Sequence, residues 1–375
     1  MDKMNRRSFL KRAGALPLLA GAALPAWSER KKLFRQKRDE YALSQLPDWK
    51  GFNLLNKFWP HGHSAFDERD FEIMAEWGFH FARVPLSYWC WSKETDWYSV
   101  DERVLKEIDH AVELGRQYKI HINLNFHRAP GYCINRDDSQ PVTTNLFEDE
   151  APLEACAFHW KLFAERYKDY SNREVSFNLI NEAPSVEAEK YDRVARRLIT
   201  AIRSVDPKRL IFVDGKDVGT QPLMTITDIP GIVQSGRGYQ PFLLTHLRAT
   251  WAASWSAIME YPAEKVTWPL ELDGKLYDKD FLREASVNPW KPWTAAGGKV
   301  HIGEMGCHNH TPHATVLAWL DDLLDVFGEQ QWGWSLWNLS GTFGVMDSGR
   351  KDVKYEDYKG HKLDRRMLEV LKRHL

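Results

Sequence analysis

Glu174-Val175-Ser176-Phe177-Asn178-Leu179-Ile180-Asn181-Glu182-Ala183-Pro184 is the stretch whose reading decides the fold. Its first half is a short run of strand-forming residues. It stops abruptly at an amide and a carboxylate, with Pro184 just beyond. A buried strand that delivers polar groups at its C-terminal tip is how a parallel barrel presents chemistry. Working outward, short apolar strands alternate with longer amphipathic segments. Strands are expected at 51–56, 79–85, 119–127, 174–182, 210–214, 231–239, 299–304 and 332–338. Helices are expected at 67–77, 101–118, 151–169, 187–205, 278–286, 313–327 and 360–373. Such alternation demands parallel strands with right-handed crossovers. Eight strands over roughly 330 residues fit an α/β fold of the (β/α)8 TIM barrel type, with a Trp- and Pro-rich insertion at 240–277 after strand six. An open doubly wound sheet is the competitor. No Gly-x-Gly-x-x-Gly follows the first strand, and Ser340-Gly341-Thr342-Phe343-Gly344 lacks the lysine of a phosphate loop.

The flanking sequence bounds the setting. Residues 1–28 read as an export signal: Asn5-Arg6-Arg7-Ser8-Phe9-Leu10-Lys11 is a twin-arginine pattern, Ala13 to Ala23 is a short apolar run, and Ala26-Trp27-Ser28 suits a signal peptidase. A charged spacer follows at 29–40, and 41–375 is expected to be one domain in the periplasm or outside the cell. The net charge of -1 points to neither nucleic acid nor an anionic membrane surface. No other stretch is apolar enough for a membrane span, and a monomer is expected. Cys90, Cys133, Cys156 and Cys307 form no Cys-x-x-Cys pair, so no zinc or redox motif is expected, and one disulfide remains open. The 17 tryptophans suit either a core or a cleft that stacks on sugar rings.

In a barrel the strand tips converge. They supply Arg83, His127, Asn181, Glu182, Tyr239, Glu304 and Trp337. Two opposed carboxyls are what glycosidic cleavage needs, one to give a proton to the leaving oxygen and one to attack the sugar or activate water. Arg83 beside a carboxylate would keep it ionised, and Trp337 would underlie a sugar ring.

The set resembles glycoside hydrolase family 5, the cellulase family of the retaining (β/α)8 clan. The matching stretches are Gly51-Phe52-Asn53-Leu54, Phe81-Ala82-Arg83-Val84-Pro85, Asn125-Phe126-His127, Asn178 to Pro184, Ile302-Gly303-Glu304-Met305-Gly306 and Trp334-Ser335-Leu336-Trp337, in family order. The resemblance implies Glu182 as acid/base, Glu304 as nucleophile and Asn181 as the contact to the sugar 2-hydroxyl. It implies that Tyr239 and Arg83 hold Glu304, and that His127 and Trp337 line the subsite of the scissile sugar. It also implies a β-linked oligosaccharide or polysaccharide as substrate and no cofactor. With no visible carbohydrate-binding module, soluble chains are the expected target.

One departure stands out. The family usually carries His-x-Tyr at strand six, where this chain has Arg237-Gly238-Tyr239. A guanidinium there would lower the pKa of Glu182, and it also fits a second reading, a barrel that binds carbohydrate without cleaving it. His246 belongs to a Thr-His element shared by several family members, as a structural or cleft-lining group. His301, His308, His310 and His313 crowd Glu304 in sequence. Their spacing is not that of a helical metalloprotease motif; a metal-dependent hydrolase is a third reading, and His308 is expected to line the cleft instead. Trp89 and Trp91 after the second strand read as sugar platforms or loop core, and Trp251, Trp255 and Trp268 of the insertion as candidates to fence off the plus or minus subsites.

Overall fold

The computed structural model describes residues 46–134, 143–252 and 256–375. The export pattern, the charged spacer and Trp255 lie outside the described residues. Eight parallel strands form the centre: β1 (Lys50–Asn53), β2 (Phe81–Ser87), β3 (His121–Ala129), β4 (Val175–Asn178), β5 (Ile211–Asp214), β6 (Ile232–Gly238), β7 (Lys299–Met305) and β8 (Gly333–Leu336). Each pairs with its sequence neighbours, and β8 pairs back onto β1, so the sheet closes into the expected (β/α)8 barrel.

The principal helices are α1 (Glu68–Trp77), α2 (Glu102–Tyr118), α3 (Glu150–Tyr167), α4 (Ala188–Arg203), α5 (Lys279–Ser286), α6 (His313–Glu329) and α7 (Arg365–Arg373). The acidic residues read as first helical positions at 67, 101 and 278 are N-caps instead. Asp67, Asp101 and Asp278 each accept a first-turn backbone N–H. The insertion after β6 contains short helical turns and an antiparallel hairpin, Leu270–Leu272 with Lys275–Tyr277. The closing segment departs from expectation. Glu356–Tyr358 and His361–Leu363 form a second hairpin, and α7 starts only after Asp364, which caps it. All four cysteines are buried free thiols. No helix among the described residues is long and apolar enough to cross a membrane.

The core has two parts. The larger lies between barrel and helices and takes in Trp91, Trp160, Trp319 and Trp334. The smaller plugs the N-terminal end of the barrel: Trp49, Phe81, Leu210, Phe212 and Val233. Two imidazoles complete the plug. His121 stacks on Trp49 at 3.9 Å, and His301 packs on Phe81 at 4.4 Å with its Nε2 3.1 Å from the Trp49 carbonyl. One residue pair further along each strand, the interior turns polar, with Asn53, Arg83, Asn123, Ser176, Asn178 and Ser235 all buried. The barrel therefore sits on an aromatic base and carries its polar groups upward to the C-terminal tips.

Burial lowers both plug imidazoles to about 3. A histidine neutral when folded but ordinary when unfolded leaves stability intact above about pH 6.5. Below that, each costs about 1.4 kcal/mol per pH unit as the unfolded chain takes up protons. Urea unfolding is therefore expected to show stability falling from about pH 6.5 toward acid. His301→Phe should flatten that slope by about 1.4 kcal/mol per pH unit; an unaltered slope would contradict a buried neutral His301.

Candidate active site

The cleft at the C-terminal end of the barrel has a volume of about 780 Å³ and is lined by Glu182, Glu304, Arg237, Tyr239, His127 and Trp337 among others. Local backbone choices deliver the two carboxyls. The regular ladder of β4 ends at Asn178, earlier than the expected strand. The chain stays pinned to its neighbours, Leu179 N–H to the Phe212 carbonyl and Asn181 N–H to that of Phe126. Glu182 then turns into the left-handed region at φ 46. A non-glycine residue there is uncommon, and its backbone N–H is held at 2.8 Å by Asp214 Oδ2. On β7 the pairing register shifts between Ile302 and Glu304. With His301 facing inward, strict alternation would aim Glu304 out of the barrel, and the shift re-aims it into the cleft. Gly303 makes room: a Cβ there would meet Ser235 Oγ at 2.4 Å.

Glu304 is nearly fully buried. Oε1 accepts from Arg83 Nη1 at 2.7 Å and Oε2 from the Tyr239 hydroxyl at 3.2 Å. Burial, and then the charge of Glu304, raise the Tyr239 phenol well above its usual range, so it remains a donor. Arg83 also bonds Asn178 Oδ1, Asn53 Oδ1 and Asn181 Oδ1. Asn181 Oδ1 accepts from Arg237 as well, at 2.8 Å. Two guanidiniums on one oxygen settle the amide orientation, leaving Nδ2 toward His127 Nε2 at 3.4 Å. Burial, reinforced by Arg128, Arg83 and Arg237, pushes the His127 imidazole well below its usual value and keeps it neutral. Its ring lies parallel to Trp337 at 5.5 Å.

Arg237 is the departure foreseen from the sequence, and it does stand beside Glu182. Its Nε donates to Glu182 Oε1 at 2.9 Å. Nη1 donates to Ser235 Oγ and the Gly236 carbonyl, and Nη2 to Asn181 Oδ1 and Asp214 Oδ2. All five N–H groups of the guanidinium thus meet protein acceptors, which makes Arg237 a framework residue rather than a sugar ligand. Nη2 also lies 3.3 Å from Glu304 Oε1, so one guanidinium touches both carboxyls. The expected lowering of the Glu182 pKa is outweighed. Burial and the neighbouring Glu304 raise it to about 7, with Arg237 offsetting only part. Counting charges explains this: two guanidiniums face three carboxyls, Glu182, Glu304 and Asp214, and a proton on Glu182 neutralises the cluster.

Other expectations sort by position. His246 lines the cleft, stacked on Phe242 at 4.1 Å and beside Tyr239. His308 does not line it. It lies behind Trp251 and Phe343, which do, with Nδ1 2.9 Å from the Leu247 carbonyl. His308 and His310 stack at 4.9 Å, but His301 is in the basal plug and His313 faces Asp364 at 2.7 Å, so the four histidines do not gather at one point. Among the described residues no group of three or more His, Cys, Asp or Glu is placed to hold a metal. Trp91 is core, and buried Trp89 stacks on Trp59 at 6.1 Å. Trp268 hydrogen-bonds Asp322 of α6, and Trp251 walls the cleft. Sequence reasoning missed Asn53 and Asp214, the tips of β1 and β5, and Tyr132, whose hydroxyl donates to the Glu182 carbonyl at 2.6 Å.

A parallel barrel that brings two unlike carboxyls into an aromatic-walled cleft has the architecture of a glycosidic-bond hydrolase. The sequence model of Cellulase (glycosyl hydrolase family 5) matches residues 43–342, and the chain belongs to that family. It is 25% identical over 315 residues to Endoglucanase C of Acetivibrio thermocellus, covering 79% of this chain and 90% of that protein. It is 24% identical over 267 residues to Cellodextrinase A of Ruminococcus flavefaciens, covering 70% and 75%. A solved glycoside hydrolase superposes with a TM-score of 0.80 at 38% identity, covering 87% of this chain and 99% of that one. Endoglucanase Cel5A of Thermotoga maritima shares the fold, with a TM-score of 0.68 at 22% identity over 86% and 96% of the two chains. The chain is an O-glycosyl hydrolase of cellulase type.

Removing one member of a buried pair strands the other, at about 3–5 kcal/mol. Arg83→Met should lower unfolding stability by that order, and Glu304→Gln in the same chain should restore part of it. Additive losses in urea titrations of the two single variants and the double would contradict a direct Arg83–Glu304 pairing.

Proposed function

We propose that the protein is an exported retaining β-glycosidase that hydrolyses a β-glucan or related β-linked oligosaccharide by double displacement. The observation that carries this is the unequal surroundings of two neighbouring carboxyls. Glu304 is held by a guanidinium and a phenol, while Glu182 keeps its proton to about 7. A carboxylate so held is the group that attacks the anomeric carbon. The protonated partner gives its proton to the glycosidic oxygen as the bond to the leaving sugar breaks. Glu182, now ionised, takes a proton from the water that releases the glycosyl group from Glu304. Both carboxyls contact one guanidinium, and the retaining mechanism requires them to stand ~5–5.5 Å apart rather than the ~6.5–9.5 Å of inverting enzymes.

Around that pair, the Asn181 amide has its oxygen fixed, which leaves Nδ2 to donate to the sugar 2-hydroxyl. His127 Nε2 faces that amide, so Nδ1 carries the imidazole hydrogen. Trp337 and Trp251 offer ring faces to pyranose C–H groups. The names of relatives, an endoglucanase and a cellodextrinase, support a β-glucan as the chain that fills the cleft. The twin-arginine pattern at Arg6-Arg7 supports export.

Glu182 works as an acid only while protonated, so kcat/KM on cellotetraose should fall as pH rises through about 7. Full activity two units higher would contradict the assignment. Glu182→Ala and Glu304→Ala should each lose activity by about 10²–10⁴-fold or more without unfolding. Azide should rescue them with opposite stereochemistry, β-glycosyl azide from the first and α from the second. The same anomer from both would exclude the roles given.

A further inference from the structure

Asp214 has no part in the bond-breaking steps described above, yet its side chain is fully buried at the tip of β5. It accepts three hydrogen bonds: Asn178 Nδ2 to Oδ1 at 2.8 Å, and both the Glu182 backbone N–H at 2.8 Å and Arg237 Nη2 to Oδ2. Arg237 in turn donates to the Glu182 carboxyl. The three residues close a ring: Asp214 holds the proton donor by its backbone, and through Arg237 by its side chain. The loop after Asp214 repeats the grip. Asp217, Val218 and Gly219 are successively left-handed, at φ 52, 60 and 77. That conformation is costly for a β-branched residue. It lets the Val218 N–H bond the Ala183 carbonyl at 2.9 Å, and it lays Gly219 against Arg237, where a Cβ would meet Cγ at 2.8 Å.

We propose that Asp214 is a positioning residue of the hydrolytic reaction, and that with Arg237 it forms one charge-compensated unit that orients Glu182 without taking its proton. A guanidinium alone in direct contact with a carboxyl favours the ionised form and spoils a general acid. A buried guanidinium without a counter-charge is itself unstable. Asp214 answers both demands. It neutralises Arg237 whether Glu182 is protonated or has just given its proton away, so the Arg237 Nε–H serves as an aiming contact in both states. The other groups that act on Glu182 come from every side of the floor: Glu304 on β7, Arg83 on β2, Tyr239 after β6 and Tyr132 after β3. Of all these, Asp214 alone reaches the Glu182 backbone N–H and Arg237 together.

This inference rests on Glu182 being the acid/base, and the experiment separates the two. Hydrolysis of cellotetraose, whose leaving sugar needs a proton, is compared with the bond-breaking step on dinitrophenyl β-cellobioside, whose leaving group does not. Glu182→Ala should lose activity on the first and largely keep it on the second; equal loss on both overturns the acid/base reading and this inference with it. Asp214→Asn should show the same pattern more mildly. We expect about 10–100-fold lower kcat/KM on cellotetraose, little change on the aryl substrate, and a high-pH limb moved down by about one unit, because Arg237 is then free to ionise Glu182. If Glu182→Ala behaves as expected while Asp214→Asn loses both substrates equally or leaves the limb in place, Asp214 is only a structural group. Should Asp214→Asn not fold, Asp214→Asn with Arg237→Gln removes both charges together. That pair should fold and show the leaving-group-dependent loss, and wild-type rates on both substrates would refute the proposal.

Discussion

The guanidinium of Arg237 is the contact on which the site depends. It is anchored by Asp214 and the strand it stands on, reaches the Asn181 amide, and touches both Glu182 and Glu304. Burying one cation among three carboxyls sets the charge state of the cleft floor. With Arg83 as the second cation, the cluster is neutral when one carboxyl keeps a proton. Burial and the Glu304 charge favour a proton on Glu182, which lines the cleft with 16% of its side chain exposed, while Glu304 is enclosed by Arg83 and Tyr239. Charge balance at a mostly buried cleft floor, together with the two donors on Glu304, makes the two carboxyls different.

The barrel makes this cluster possible because its interior changes character along the axis. An aromatic plug closes the N-terminal end, a polar layer of amides and Arg83 follows, and the functional groups cap it. Each layer orients the next: Asn53 and Asn178 aim Arg83, Arg83 aims Glu304 and Asn181, and Asn178 aims Asp214. Two local irregularities finish the placement, the register shift at Gly303 and the left-handed turn at Glu182. Regular strands would have aimed at least one of the carboxyls elsewhere.

Much of this was legible in the sequence because strand tips in a barrel must converge. Asn181-Glu182 and Gly303-Glu304 end apolar runs, and Arg83, Tyr239 and Trp337 occupy equivalent ends. The same logic reaches Asn53 and Asp214, which end β1 and β5; Asn53 lies in the matching stretch Gly51-Phe52-Asn53-Leu54 but drew no role there, and Asp214 belongs to no quoted motif. The influence of Arg237 was foreseen in sign as a pairwise effect. The net outcome depends on burial and on Glu304, neither of which has a sequence signature. The hairpin at 356–363 was hidden for a different reason. Lys359 and Gly360 both adopt positive φ, at 47 and 92, and lysine is no typical residue for such a turn, so the segment read as the start of the last helix. His308 was drawn to the cleft by its nearness to Glu304 in sequence. Gly306, at φ 139, turns the chain after β7, and His308 comes to lie behind the wall.

The central claim is that, in the resting protein, Glu182 is the protonated member of the pair. Isotope-edited NMR of the glutamate side-chain carboxyl carbons, followed across pH, measures this directly. The account predicts one carboxyl titrating near 7 that disappears in Glu182→Gln. A spectrum in which every glutamate titrates near the ordinary value of about 4.3, or in which the high-pH signal survives Glu182→Gln, would contradict it.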